Sequence, residues 1–218
     1  MTLTITLVRH GRTHFNARRI LQGRCDSPLT RDGRAGVRRT AQHLASTPFI
    51  AAWSSPSGRA VATAVELLRP HTDVPLRTDR GLLEFAFGDF ERKPESALED
   101  VASWPELVAE VLAGRHPGLP GGEPAAEFMA RTRDVFARIA ALHDDGHVLV
   151  VGHGLALGAY LATVDDAALV PLPNASVSTV ELGRDGTARI TSIALDVADQ
   201  GHVAARQMSS RQPVSSVA

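Results

Sequence analysis

Four short stretches of the sequence carry residue types that together could bind a phosphoryl group and attack it. Arg9 and His10 follow the alternating run TLTITLV, His153 lies in VVGHG, Arg59 lies in SSPSGRA, and Glu84 lies in LLEFAFGDF. Core strands normally end in turn-forming residues. A strand that ends in a cation and an imidazole therefore indicates a chemical role at that strand end.

The chemistry that fits this set is covalent phosphoryl transfer. Arginine offers a planar fork of donors that matches a phosphoryl dianion better than lysine does. A neutral imidazole can attack phosphorus, since an unperturbed histidine titrates near pH ~6.5. A second histidine can neutralise charge on the phosphoryl oxygens, and a carboxylic acid can protonate the leaving oxygen. Two histidines, two arginines and a glutamate thus make a set that needs no metal ion.

The elements around these residues indicate how they could meet. Leu3 to Val8 is a predicted strand, and FIAAWSS and HVLVVGHG supply two more. Strand-like segments that alternate with helical ones are typical of a mostly parallel sheet covered on both faces. Ligands bind beyond the carboxyl ends of the strands in such sheets. The sequence therefore predicts that these side chains converge at one edge of the sheet.

The remaining segments complete the predicted architecture. Thr30 is a predicted N-cap, and helical periodicity continues in PSGRAVATAVELLRP and EPAAEFMARTRDVFARIAALHDD. Glu84 follows a short extended piece, after which the pattern loosens from Phe85 to Gly122, with two helices predicted around residues 94–101 and 105–112. SVSTVELGRDGTARITSIAL is typical of a hairpin with an Asp-Gly turn. We expect this hairpin to place an antiparallel strand at one edge of the sheet.

Composition excludes several classes of function. The 218 residues carry a formal net charge of −1 and are 44% hydrophobic and 22% charged, as in an ordinary globular protein. Such a chain has no basic field for nucleic acid or an anionic membrane, and no apolar run is long enough to span a bilayer. The single cysteine, Cys25, fits a reducing compartment. We therefore expect a soluble cytoplasmic protein with neither a nucleic-acid nor a membrane partner.

Metal and nucleotide signatures are missing. Neither H-E-x-x-H nor C-x-x-C occurs, and the remaining histidines are scattered along the chain. The phosphate loop G-x-x-x-x-G-K-[ST] is absent as well. We expect neither a metal ion nor a cofactor.

Six motifs resemble one family in order along the chain. LVRHGRTHFN is similar to the R-H-G-x-T-x-x-N signature of the histidine phosphatase superfamily, whose fold is that of phosphoglycerate mutase. The resemblance continues in LQGRCDSPLTRDG, SSPSGRAVATA, LLEFAFGDFE, PGGEP and VVGHG, and covers about Leu3 to Leu195. It implies an α/β fold, a three-layer α/β/α sandwich with a mostly parallel central sheet, one antiparallel edge strand and a helical lid insertion.

The resemblance also assigns roles to residues. It makes His10 the nucleophile that becomes phosphohistidine and Glu84 the proton donor that later activates water. The implied phosphate site comprises Arg9, Asn16, Gln22, Gly23, Arg59 and His153. Glu123 matches a position near the site whose role stays open. The implied organisation is one domain over residues 1–205, with the lid at about 85–122 and a disordered tail at 206–218.

The sequence departs from the family pattern at two places that touch no implied catalytic group. Arg92 stands where glycine is usual after the proton donor, and Gly58 stands where a bulkier residue is common. The span after Glu84 also lacks the adjacent arginine pair with which glycolytic mutases grip phosphoglycerate carboxylates. This absence disfavours a dedicated mutase.

Three functions remain open at this point. The leading one is a metal-independent phosphatase of small phosphomonoesters, and the second is a phosphoglycerate mutase-type phosphomutase that returns the phosphoryl group to the substrate. The third is a non-catalytic module that binds a phosphorylated ligand. The partner is in each case a small phosphorylated metabolite, and the oligomeric state is open, a homodimer being compatible with family habit. Simpler roles also exist, since Asn16 could cap a turn and Glu84 could pair with a helix end.

Overall fold

The computed structural model describes residues 2–99 and 101–199, which form a six-stranded sheet between two helical layers. The strands are β1 (Thr2–Arg9), β2 (Phe49–Ser54), β3 (Leu76–Thr78), β4 (Gly146–Gly152), β5 (Val177–Gly183) and β6 (Ala188–Leu195). The helices are α1 (His14–Ala17), α2 (Arg31–Leu44), α3 (Gly58–Leu67), α4 (Trp104–Leu112), α5 (Ala125–Ala141) and α6 (Gly154–Val164). Short 3-10 turns cover Arg80–Leu82, Gly88–Phe90, Glu95–Leu98 and Asp166–Ala168.

The sheet has the strand order β3-β2-β4-β1-β5-β6. Parallel pairing joins β3, β2, β4 and β1, and antiparallel pairing joins β5 to both β1 and β6. The predicted mostly parallel sheet with antiparallel pairing at one edge is confirmed. The reversed strand is β5, one place in from the edge, because the hairpin turns the chain back again into β6.

Each face of the sheet buries a separate apolar cluster, as expected of a three-layer sandwich. On one face, β1 and β4 pack against α5 and α6 through residues such as Ile5, Val135 and Leu157. On the other face, the alternate side chains of the same strands pack against α2 and α3 through residues such as Val8, Val37 and Ala64. The near-continuous apolar run in β4 reflects this burial on both faces.

The predicted insertion contains α4 and the two 3-10 turns before it. A capping box begins α4, since the Ser103 hydroxyl accepts from Glu106 N–H and the Glu106 carboxylate accepts from Ser103 N–H. Leu107 and Val111 of α4 pack in a third apolar cluster with Phe85 and Phe128, which fixes the insertion on α5 and α6.

Several local predictions differ from the structure. The helix predicted around residues 94–101 is only a 3-10 turn over Glu95–Leu98, and Pro94 precedes it directly. Helix α6, which begins at Gly154, was not predicted, because its alanines and glycines carry apolar character on every side. The predicted tail at 206–218 lies outside the described residues. Within the described residues, no helix has the length and apolar character needed to cross a membrane.

Candidate active site

The site begins where β1 and β4 end side by side. Arg9 pairs with Gly152 in the parallel register, and His10 N–H donates to the Gly152 carbonyl at 2.9 Å. His153 directly follows the last residue of β4, so the two histidines lie next to each other at the same edge of the sheet. Their ring centroids lie 5.2 Å apart. The predicted convergence of strand ends is thus realised for these two residues.

The His10 ring is held in one tautomer by its own neighbour. His10 Nδ1 lies 2.9 Å from the Gly11 carbonyl oxygen. A carbonyl oxygen can only accept, so Nδ1 carries the proton and Nε2 carries the free lone pair. Burial lowers the pKa of His10 well below its ordinary value, and the charges of Arg59 and Arg9 lower it further. The ring is therefore neutral, with a nucleophilic nitrogen at neutral pH.

Three buried nitrogen atoms around His10 lack a hydrogen-bond partner: Arg9 Nε, Arg59 Nε and His153 Nδ1. Other nitrogens of the two arginines are used, because Arg9 Nη1 donates to the Leu172 carbonyl and Arg59 donates to Gly23 O and Cys25 O, each at 2.8 Å. Buried donors without partners are costly and rare. A tetrahedral oxyanion beside His10 could satisfy all three.

His153 is fully buried behind the cavity wall. Its Nε2 lies 2.8 Å from the Ser55 hydroxyl, and Ser55 follows the end of β2. Burial lowers the pKa of His153 well below its ordinary value, with Arg59 and His10 acting in the same direction. When Ser55 donates to Nε2, the neutral ring keeps its proton on Nδ1, which is the unpartnered atom. His153 can then donate to an oxyanion without itself being charged.

The loop at Gln22–Asp26 closes the site from one side. Gly23 has φ +52°, a left-handed conformation that favours glycine, and its carbonyl accepts from Arg59. The Glu91 carboxylate holds this loop by accepting from Arg24 N–H at 2.8 Å and Cys25 N–H at 2.7 Å. The loop therefore fixes the guanidinium of a residue that lies on α3.

Asn16 and Gln22 present amide groups to the cavity. Asn16 Oδ1 accepts from Thr13 N–H at 3.1 Å and from Asn174 Nδ2 at 3.3 Å. Gln22 Oε1 accepts from the Thr13 hydroxyl at 3.2 Å. With both amide oxygens occupied, the amide nitrogens are the groups left to donate to a ligand. Asn16 also completes a capping box with Thr13, so the capping role considered for it is present as well.

Glu84 sits at the N-terminus of α6. Its carboxylate accepts from Phe85 N–H at 3.0 Å and from Leu155 N–H and Ala156 N–H, both at 3.1 Å. The chain reaches this point through the 3-10 turn at Arg80–Leu82, since β3 ends at Thr78. The carboxylate lines the same cavity as His10. A carboxyl group in this position could exchange a proton with a group bound beside His10.

Glu123 helps to hold the segment that contains Glu84 in place. Its carboxylate accepts from Ala86 N–H at 2.8 Å and pairs with Arg131 at 2.6 Å and Arg24 at 3.0 Å. Arg131 in turn donates to the carbonyls of Gly81, Leu83 and Glu84 at 2.7–3.0 Å. The role that the sequence left open for Glu123 is thus that of an anchor.

A cavity of about 400 Å³ joins these groups. Seven of the predicted site residues line it: Arg9, His10, Asn16, Gln22, Gly23, Arg59 and Glu84. His153 contacts His10 from behind the wall. Within residues 2–99 and 101–199, no group of three or more histidine, cysteine, aspartate or glutamate residues is arranged to hold a metal ion.

The family model described as histidine phosphatase superfamily (branch 1) matches residues 5–194. The chain belongs to this superfamily. It is 33% identical over 164 residues to a probable phosphoglycerate mutase, GpmB, of Salmonella choleraesuis, which covers 74% of each chain. The solved phosphoglycerate mutase of Bacillus anthracis is 28% identical, with a TM-score of 0.80 over 90% of this chain and 95% of that one. A mycobacterial glucosyl-3-phosphoglycerate phosphatase solved with VO3 is 26% identical, with a TM-score of 0.73 over 88% and 98%.

The structure shows the local setting of both departures from the superfamily's sequence pattern. Arg92, at the usual glycine position, has φ +66°, so the backbone there is left-handed despite the side chain. At Gly58, a Cβ atom would lie 2.4 Å from Asp26 Oδ2. Asp26 accepts from Arg59 Nη1 at 2.9 Å, so glycine lets this carboxylate approach Arg59. Neither departure removes a group from the cavity.

Sequence reasoning missed four supporting residues, namely Ser55, Glu91, Arg131 and Asn174. Asn174 donates to the His10 carbonyl at 3.0 Å as well as to Asn16. Ser55 alone carried a signal, because it is the last residue of the predicted strand FIAAWSS, at the same edge as His10. The others act across long sequence separations through backbone groups, for which no spacing rule exists.

The two buried histidines should make folding stability depend on pH. An unfolded histidine titrates near pH ~6.5, and both folded pKa values lie well below the ordinary value. Below the unfolded pKa the unfolded chain therefore binds protons that the folded chain does not, and the free energy of unfolding falls as pH drops. His10→Gln should remove up to ~1.4 kcal/mol per pH unit of that slope below pH ~6.5. Urea unfolding across pH measures it, with exposed His14→Gln as the control, and an unchanged slope in His10→Gln would contradict the account.

Proposed function

We propose that this histidine phosphatase hydrolyses small phosphomonoesters through a phosphohistidine on His10. One observation carries the proposal. His10 Nε2 holds a lone pair beside three buried nitrogens without partners, on Arg9, Arg59 and His153. A nucleophile placed among unsatisfied donors is what attack on a phosphoryl group requires.

In the first step, His10 Nε2 forms a bond to phosphorus while the bond from phosphorus to the alcohol oxygen breaks. Glu84, as the carboxylic acid, gives its proton to the leaving oxygen. In the second step, the Glu84 carboxylate takes a proton from water as the water oxygen attacks phosphorus. The nitrogen–phosphorus bond breaks, and His10, protonated Glu84 and orthophosphate result.

The donors around His10 replace the charge that a divalent cation supplies in other phosphoryl-transfer enzymes. Arg9 and Arg59 each offer an unpartnered Nε, and His153 Nδ1 adds a directed hydrogen bond. All three are fixed by protein contacts before a substrate arrives, so little reorganisation accompanies the reaction.

A mutase is the second candidate, and the 33% identity to a probable phosphoglycerate mutase is the observation that favours it. A mutase uses the same groups but returns the phosphoryl group to the substrate, which requires exclusion of water. It would also need cations for the substrate carboxylate. Among the described residues that line the cavity, the cations are Arg9 and Arg59, both beside His10. This arrangement favours hydrolysis.

The test is phosphate release from a panel of phosphomonoesters in the presence of EDTA. We expect orthophosphate to be released at a rate that EDTA does not reduce. With 3-phosphoglycerate, we expect no stimulation by 2,3-bisphosphoglycerate and no 2-phosphoglycerate. Loss of activity on chelation, with rescue by magnesium or zinc, would contradict the metal-independent mechanism, and bisphosphoglycerate-dependent isomerisation would establish the mutase instead.

A further inference from the structure

The cavity has a buried polar floor and an exposed apolar mouth. His10 and Arg59 are 3% and 1% exposed, whereas Trp104 and Leu169, which line the same cavity, are 45% and 52% exposed. The phosphoryl site is therefore at the bottom, and the alcohol part of an ester must extend toward the mouth. The chemistry of the mouth then decides which alcohols fit.

Helix α4 supplies one wall of the mouth. Trp104, Val108 and Leu112 are spaced by four residues, lie on one face of α4 and line the cavity. The Trp104 ring stacks on Phe87, with centroids 6.0 Å apart, so it is held as a flat surface. Leu107 and Val111, on the adjoining face of α4, are buried in the third apolar cluster, and Val108 and Leu112 pack against that cluster as well. Because these contacts hold α4 in place, the Trp104 side chain stays exposed at the mouth of the cavity.

Other apolar residues line the cavity besides those of α4. They are Leu169 and Val170, which follow α6, and Ile20. Gly158 of α6 also lines the cavity, and a Cβ atom there would meet nothing within 4 Å. A planar group can therefore enter beside α6 and face Trp104.

The charges of the cavity disfavour a second anion on the substrate. Within the described part of the chain, Arg9 and Arg59 are the cations of the lining, and both face the phosphoryl site. Glu95 also lines the cavity, and its carboxylate pairs with the exposed Arg19 at 3.1 Å. A substrate carboxylate in the mouth would lose water without gaining a cation and would face Glu95.

We propose that the mouth of this cavity selects phosphomonoesters of apolar, planar alcohols that carry no second negative charge, with Trp104 as the binding surface and Glu95 as the discriminating charge. The inference rests on the proposed phosphatase function and narrows its substrate class. It predicts that phosphoglycerates are poor substrates of this chain.

The experiment compares three esters of alkyl alcohols: 2-phenylethyl phosphate, glycerol 3-phosphate and 3-phosphoglycerate. All three leaving groups are poor, so differences in kcat/KM report binding at the mouth more than leaving-group reactivity. Burial of the phenyl ring should raise kcat/KM for 2-phenylethyl phosphate about 100-fold over 3-phosphoglycerate. Glycerol 3-phosphate should lie between the two.

Two substitutions test the named residues. Trp104→Ala should lower kcat/KM for 2-phenylethyl phosphate about tenfold and leave glycerol 3-phosphate within about twofold, while Trp104→Phe keeps most of the activity. Glu95→Gln should raise kcat/KM for 3-phosphoglycerate about threefold or more without a gain for glycerol 3-phosphate. Val65→Ala, at an exposed position of α3 outside the cavity, is the control that changes none of the three values.

The outcomes separate this inference from the proposed function. Hydrolysis of all three esters with 3-phosphoglycerate as the best substrate would overturn the inference and leave the phosphatase function standing. Equal losses on all three esters in both Trp104 variants would also overturn it, because Trp104 would then be structural. Release of phosphate from none of the esters would overturn the proposed function and this inference with it.

Discussion

Substitution of His10 by alanine is expected to abolish turnover, with a loss in kcat of at least ~10⁴-fold on every phosphomonoester. The reason is that, among the described residues of the cavity floor, the His10 imidazole is the one strong nucleophile, and its Nε2 lone pair is free. In the proposed mechanism the neighbouring nitrogens bind the phosphoryl oxygens and cannot replace it. Steady-state phosphate release measures the effect.

His14→Ala is the matched control, because His14 is exposed on α1 and does not line the cavity. It should keep near-normal kcat. The His10→Ala protein should still fold, since the backbone hydrogen bonds of His10 to Gly152 and Ala175 do not involve its ring. Near-normal kcat in a folded His10→Ala protein would rule out the covalent mechanism.

Substitution of Glu84 by glutamine is expected to slow hydrolysis of esters with poor leaving groups by about 10²–10⁴-fold, the usual contribution of a general acid. The same change should cost much less with p-nitrophenyl phosphate, whose leaving group needs little protonation. Glutamine has the size of glutamate but cannot deliver a proton from a carboxyl group. Values of kcat for both substrates measure the contrast.

The Glu84→Gln experiment needs a control for structural damage, because the substitution also changes hydrogen bonds at the start of α6. Glu84 accepts three backbone N–H groups at the start of α6, and glutamine offers only one accepting oxygen. A structural loss would therefore reduce activity on both classes of substrate and lower thermal stability. Glu99→Gln, at an exposed position, should change neither. Equal losses with good and poor leaving groups would assign Glu84 a structural role and require another acid.

The fold was largely predictable because its signals are local. The β-branched alternation of β1 and the continuous apolar run of β4 identify strands, and Thr30 begins α2 as predicted, its hydroxyl accepting from Gly33 N–H. The parallel order follows from helices between the strands. Helix α6 escaped prediction because its apolar residues cover all its faces, and periodicity cannot separate such a helix from a loop or a strand.

Only part of the candidate site was predictable from the sequence, namely the residues that follow strand ends. Residues that follow strand ends, such as His10 and His153, were placed by the rule that ligands bind at the carboxyl edge of a sheet. The mutual arrangement of Glu84, Arg131 and Glu123 depends on hydrogen bonds to backbone carbonyls some 50 residues away in sequence. No residue pattern encodes such contacts. The apolar mouth likewise depends on which face of α4 the third apolar cluster buries.

The central claim is that the phosphoryl group passes to His10 Nε2, and trapping of the phosphoenzyme tests it most directly. The wild-type protein is mixed with substrate, quenched within milliseconds under alkaline conditions and digested, and the modified peptide is identified by mass. The account predicts one phosphate on the peptide that contains His10, stable to base and labile to acid, and absent from His10→Ala. Phosphate on another residue, or steady turnover with no phosphoenzyme at any time, would contradict it.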